Sequence, residues 1–192
     1  MENLSGRTLF VAAVDAEAAH VPEGEPLLIT GIGTVPAAIE LTNALASAEA
    51  LPERVINIGT AGALRDDFAG VFEVSHVRKH DFHLDVLSDI SRYLLPEVIE
   101  LETSGTLPTA TLATGDSFIS DTETRTRLAA DSELCDMEGY AIALACTELG
   151  VPVHLVKVVS DNADETAHDW SAAVDGCARL LGDWLGPFAA RH

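Results

Sequence analysis

The sequence predicts an α/β domain in which helices sandwich a mainly parallel sheet, and three observations point to it. Short, almost wholly apolar runs alternate with longer segments of helical period, the pattern of βαβ units whose strands are buried on both faces. No repeat, low-complexity tract or linker interrupts the alternation, and 192 residues with 47% hydrophobic content suit one full-sized core. Each apolar run is followed by glycines or carboxylates, which serve strand-to-helix turns and ligand loops.

Each element follows from its own pattern. "TLFVAAV" (8–14) reads as a buried strand and is followed by "DAE" (15–17). "PLLIT" (26–30) is a second strand, closing on "GIG" (31–33), and residues 35–50 carry helical period. "RVINIG" (54–59) is a third strand, followed by "TAGA" (60–63). From 68 to 104, strand and helix signals mix with charged residues, so that no boundaries can be drawn. "TATLAT" (109–114) is again a strand, with "GDSFIS" (115–120) behind it. Asp121, with Glu123 and Arg125 following, has the make-up of an N-cap for a helix over 121–130. Residues 137–149 form a helix of small side chains, "PVHLVKVVS" (152–160) a strand ending in "DNADE" (161–165), and 170–185 another helix.

Composition excludes several functions. The 11 basic and 31 acidic residues leave a formal net charge of −20, which repels phosphate backbones and argues against nucleic acid as a partner. The apolar run at 9–14 is too short for a signal segment or a membrane span, so no membrane partner is expected. Cys135, Cys146 and Cys177 match no zinc or disulfide framework; Cys146 and Cys177 read as small core residues, and the expected location is the cytoplasm.

In parallel α/β sheets ligands bind beyond the carboxyl ends of the strands. Glu17, Asp161 and the glycine turns all fall there, which makes one composite site the best reading of the sequence. Glu138 adds a puzzle, because helical spacing places it on the apolar stripe of Ile142, Ala145 and Leu149, while Asp136 aligns with Tyr140 and Thr147. Each feature also has a bland reading. The glycine pairs could be plain turns, Asp161 a cap or loop solvator, and Glu17 a first-turn helix charge. "GIGTVP" lacks the third glycine of a dinucleotide fingerprint, and "GDSF" is not a nucleophile elbow. "HDFHLD" (80–85) holds metal-capable side chains but reads as a solvated loop.

Taken together, these stretches resemble the purine nucleoside phosphorylase/nucleosidase superfamily, and within it the 5'-methylthioadenosine/S-adenosylhomocysteine nucleosidases. "AAVDAE" (12–17), "TGIGTVPAA" (30–38), "VINIGTAGAL" (55–64), "ATGDSFIS" (113–120), "CDMEGYAIA" (135–143) and "VKVVSDNAD" (156–164) occur in family order and span most of the chain. The resemblance implies a three-layer αβα sandwich around a mixed, mainly parallel twisted sheet, a small-molecule purine nucleoside as partner, a homodimer, and neither cofactor nor metal. It gives Glu17 the role of activating the attacking water and Asp161, supported by Ser160, that of protonating the purine at N7. Glu138 would bind the ribose hydroxyls with Met137 packed on the sugar, Phe118 would stack on the base, and the backbone at Ile119 would read its edge. Gly33, Thr60, Ala61, Gly62 and Asp136 complete the expected substrate-binding set. Two adjacent ribose hydroxyls would explain a carboxylate on a buried stripe, since Glu138 would then face a cavity.

The chemistry matches the residue types. Cleaving an N-glycosidic bond takes an acid for the departing purine and a base for water, so Asp161 is expected to be desolvated and protonated and Glu17 ionised and wetter. Where related phosphorylases carry an arginine before the second glycine turn, this chain has Asn57, which favours water over phosphate as nucleophile. Lys157 stands where the nucleosidases carry arginine, and is expected to orient Glu17 or the water. The chain departs from the family in the short connection between Glu17 and Gly31, an abbreviated 84–108 segment, and Gly139-Tyr140 after Glu138, which leaves the 5' substituent open. A futalosine hydrolase-like or other purine nucleosidase, a nucleoside phosphorylase, a non-catalytic nucleoside sensor and a flavodoxin-like interaction domain are the alternatives.

Overall fold

A computed structural model describes residues 3–82, 94–167 and 170–189 of the chain. The elements run β1 (Thr8–Ala12), β2 (Leu27–Ile29), α1 (Thr34–Ser47), β3 (Arg54–Ala63), β4 (Val71–Lys79), β5 (Val98–Glu100), β6 (Thr109–Thr114), α2 (Thr122–Leu128), β7 (Leu134–Asp136), α3 (Gly139–Leu149), β8 (Val153–Asp161) and α4 (Trp170–Ala189). All five expected strands and all four expected helices are present, most with shifted ends. β4, β5 and β7 are additional.

β1 pairs in parallel with β2 and β3, and β3 with β8. β4 lies parallel to β6 and antiparallel to β5 and β8, so the sheet is mixed. Beyond a simple layer, β3, β7, β6, β4 and β8 pair in a closed circuit, because β3 contacts β8 along its length and β7 at Gly62 and Ala63. The register of β3 against β8 slips between Ala61 and Gly62, where the chain splits between its two partners.

Alternation along the strands builds two cores on opposite faces of this sheet. Leu9, Val11, Val55 and Leu155 face one way, onto Leu41 and Leu45 of α1 and Ile142 and Cys146 of α3. Phe10, Ala12, Ile56, Ile58, Val156 and Val158 face the other, onto Cys177, Leu181 and Leu185 of α4. The inward residues of α4 recur at helical period, as Val174, Cys177, Ala178, Leu181 and Leu185 show. α2 is capped as its sequence suggests, with the Asp121 side chain accepting from Thr124 N at 2.8 Å. α3 is buried from Gly139 to Ala143 and ends on Gly150 at φ 68°, whose N–H reaches the last carbonyls.

Two expectations change here. Residues 134–136 are a strand, and the helix begins at Gly139, so Glu138 is its N-cap residue and Asp136 closes β7. "TAGA" is no turn, since β3 runs on through Ala63. β4 was hidden by Glu73, His76, Arg78 and Lys79 inside a strand. Glu73 is buried yet satisfied by Ser104, Gly105 N and Thr106, which pin the 104–106 loop. The His83–Asp85 part of "HDFHLD" lies outside the described residues. No described helix is long and apolar enough to cross a membrane.

Candidate active site

At the carboxyl ends of β1, β3, β6, β7 and β8 the chain encloses one cavity. Its wall carries eleven of the thirteen expected site residues: Glu17, Thr60, Ala61, Gly62, Phe118, Ile119, Asp136, Met137, Glu138, Ser160 and Asp161. A second hollow, about 340 Å³ against about 120 Å³, is larger, but its described lining includes Arg78, Lys79 and His80 and none of those residues.

Glu17 sits in the turn after β1 and folds back over β3. Its Oε1 accepts from Thr60 N at 2.7 Å and Thr60 Oγ1 at 2.8 Å, and its Oε2 from Ala13 N at 3.3 Å. Gly59 makes room for it, because a Cβ there would stand 3.2 Å from Glu17 Oε1 and 3.4 Å from Lys157 Nζ. Glu17 is 5% exposed while Asp161 is half-buried, which reverses the expected order of wetness. Three protein donors, Ala13 N, Thr60 N and Thr60 Oγ1, hold its carboxylate at the cavity wall.

Asp161 ends β8. Its Oδ2 accepts from Ser160 Oγ at 2.7 Å and its Oδ1 from Ala163 N at 2.8 Å. Ala163 holds φ 51°, a left-handed conformation rare for a residue with a side chain, and it is buried. Gly62 is the counterpart of this turn: a Cβ there would lie 2.9 Å from Ala163 Cβ and 3.1 Å from both Asp161 Oδ1 and Cys135 Sγ. The glycines of β3 are thus demanded by close approach, not by turn geometry.

Glu138 occupies the N-cap position of α3 without capping it. Asp136 Oδ2 accepts from Gly139 N at 2.9 Å and Thr114 Oγ1 from Tyr140 N at 3.0 Å, so other side chains satisfy the helix start. That leaves Glu138 to point across the site, where Oε1 accepts from Gly33 N at 2.7 Å. Burial, and after it the charge of Asp136, push its carboxyl up to about 7, against the pull of Lys157 and the Gly33 N–H. Gly33 itself has φ 103°, and the "GIG" segment is a true turn. The turn is held by Asp116, whose carboxylate accepts from Thr34 N at 2.7 Å and from the Thr34 hydroxyl, filling the cap that Gly33 cannot provide.

Gly33, expected in the substrate-binding set, and Lys157, expected to orient Glu17 or the water, are not on the wall. Gly33 acts through Glu138. Lys157 lies behind the cavity, 1% exposed, with its Nζ 2.8 Å from Asp136 Oδ2. Burial alone would lower this ammonium, but the charges of Asp136, Glu138 and Glu17 raise it above an ordinary lysine. Asp136 does reach the wall, yet Thr114 Oγ1, Gly139 N and Lys157 Nζ occupy both of its oxygens. It orients its neighbours rather than presenting a free carboxylate.

Phe118, 48% exposed, stands at the mouth beside the exposed Ile32, while Ile119 is buried. Cys135 also lines the cavity, but burial, with Asp161 and Asp136 nearby, pushes its thiol up to about 12, so it is no nucleophile at neutral pH. Trp170, the first residue of α4, is on the wall and donates its indole N–H to Thr60 Oγ1 at 2.9 Å. Sequence reading missed it, since a tryptophan opening an amphipathic helix looks like core. Among the described residues no group of three His, Cys, Asp or Glu side chains could hold a metal ion.

Comparison with known proteins identifies the family. A sequence profile of the Phosphorylase superfamily matches residues 23–181. The 5'-methylthioadenosine/S-adenosylhomocysteine nucleosidase of Shewanella halifaxensis is 31% identical over 188 residues, covering 85% of this chain and 79% of that protein. The enzyme of the same name from Shewanella loihica is 30% identical over 182 residues, covering 82% and 77%. Among solved structures, futalosine hydrolase of Helicobacter pylori superposes with a TM-score of 0.82 at 20% identity, covering 97% of this chain and 98% of that one. The 5'-methylthioadenosine/S-adenosyl homocysteine nucleosidase of Helicobacter pylori, complexed with a substituted pyrrolidin-3-ol, superposes at a TM-score of 0.81 with 20% identity and full coverage of both chains. At these identities the two structures speak to fold alone.

Proposed function

Because this chain belongs to the phosphorylase superfamily, we propose that it is a purine nucleosidase hydrolysing the N-glycosidic bond of a 5'-substituted adenosine such as 5'-methylthioadenosine or S-adenosylhomocysteine. The curated relatives that bear the nucleosidase name support the reaction. The single observation that carries the reading is the placement of Glu17, Glu138 and Asp161 on one cavity wall.

In this reading Glu138, in its ionised form, accepts from the two ribose hydroxyls, with Met137 against the sugar. Phe118 stacks on the base at the mouth, and the Ile119 backbone reads its edge. Glu17 takes a proton from water on the far side of the sugar, and Asp161, steadied by Ser160 and Ala163 N, gives a proton to N7 as the bond opens. Ala61, Gly62 and Thr60 form the floor between these groups.

Water is the favoured nucleophile because no lysine or arginine is among the described residues lining the cavity, and phosphate would demand one. Asn57, where phosphorylases carry arginine, is buried with its Nδ2 donating to Val11 O at 3.0 Å. Exposed Ile32 on the cavity wall, with exposed Val35 and Ile39 on α1, supports a homodimer, and three free cysteines support a cytoplasmic location.

The test is a panel of methylthioadenosine, S-adenosylhomocysteine, inosine and futalosine, assayed for free base with and without phosphate. Release of adenine from a 5'-substituted adenosine, independent of phosphate, is the expected result. Phosphate dependence would make the protein a phosphorylase, and tight binding without release a sensor. Asp161→Asn should lower turnover about 100-fold or more; unchanged turnover removes Asp161 from the mechanism.

A further inference from the structure

We infer that Trp170 is a positioning residue for Glu17, acting through the hydroxyl of Thr60; this rests on the reading of Glu17 as the base. A threonine hydroxyl has one hydrogen to give and lone pairs to receive, whereas an indole N–H only donates. Trp170 Nε1 lies 2.9 Å from Thr60 Oγ1, which lies 2.8 Å from Glu17 Oε1. The indole hydrogen therefore settles on Thr60 Oγ1 and directs that hydroxyl's own hydrogen to Glu17. Thr60 N donates to the same oxygen at 2.7 Å, so Oε1 is held by two donors.

Among the described residues Oε2 receives only the longer 3.3 Å bond from Ala13 N, which leaves it the less engaged oxygen and the one to accept a proton from water. The relay thus selects which oxygen of Glu17 acts. It also joins three distant parts of the chain: the turn after β1, the last third of β3, and the first residue of α4. Without the indole donor the Thr60 hydroxyl is free to rotate, and Oε1 loses one fixed partner part of the time.

Trp170→Phe keeps the aromatic wall and deletes the N–H. In the active enzyme, kcat should fall about three- to tenfold, the scale of one buried hydrogen bond, with KM changed less than about twofold. Thr60→Val should lower kcat as well, and Trp170→Phe added to it should cost nothing further. In Thr60→Ser, which restores the hydroxyl, the Trp170→Phe effect should return. Wild-type kcat in Trp170→Phe, or a double variant that loses the product of the two single losses, overturns the relay.

A second readout needs no turnover. In a Trp184→Phe background the single indole N–H resonance of Trp170 should shift in both Thr60→Val and Glu17→Gln. A resonance indifferent to both overturns the relay whatever the activity. A shifted resonance in a protein that cleaves no nucleoside supports the relay and sinks only the hydrolase reading.

Discussion

Replacing Glu138 by glutamine should stabilise the protein, and should do so only where the native carboxyl is ionised. In the fold this carboxyl titrates at about 7, against 4.5 for an ordinary glutamate. Because the folded value lies above the unfolded one, the associated stability is fully present below about 4.5 and is lost as the pH climbs through about 7. The difference of roughly 2.5 pH units, at about 1.4 kcal/mol each, amounts to about 3 kcal/mol by pH 8. Glutamine keeps an oxygen for the Gly33 N–H and carries no charge, so it escapes this penalty. For a chain of this size each kcal/mol moves Tm by about 2–4 °C, which predicts a gain of about 6–12 °C at pH 8. At pH 5 the same arithmetic leaves under about 1 kcal/mol. Thermal unfolding of both ligand-free proteins by circular dichroism at the two pH values measures it, and calorimetry should show nucleoside binding lost. Equal Tm values at pH 8, or a gain of the same size at pH 5, would refute the argument that burial beside Asp136 raises this group.

The same titration predicts that the apparent KM for a 5'-substituted adenosine is about tenfold higher at pH 6 than at pH 8, since only the ionised fraction of Glu138 binds; a flat KM profile contradicts it. Lys157→Met should destabilise by about 3–5 kcal/mol at pH 7, because it strands Asp136 beside two further buried carboxylates, and denaturant unfolding checks this. Gly62→Ala should cost about 1–3 kcal/mol and depress turnover, as its Cβ would stand 2.9 Å from Ala163 Cβ and displace the Asp161 turn; wild-type kinetics would show that the turn tolerates the crowding.

The parts of the fold that were legible are those written in short-range pattern. Burial on both faces of β1, β3 and β8 requires nearly all-apolar strands, and α1, α3 and α4 carry helical period, so their existence could be read directly. β4 resisted because Glu73 is buried among Ser104, Gly105 and Thr106, partners about thirty residues away. β7 resisted because three residues ahead of a small-residue helix extend the same apolar run. Glu17, Glu138 and Asp161 were found through their resemblance to a known family and their place at strand ends.

Reading along the chain is enough for the alternation of strand and helix and for the set of carboxylates at the strands' carboxyl ends, because hydrophobic period is a property of neighbours in sequence. Folding alone sets Glu138 at a helix start it does not cap, encloses Glu17 more deeply than Asp161, puts Lys157 behind the wall, and brings Trp170 to the site. Each of these is a contact between residues tens to more than a hundred positions apart, as Gly33 with Glu138 and Thr60 with Trp170 are. The energy of a buried charge or donor depends on which distant partner meets it, and that is settled only when the sheet closes.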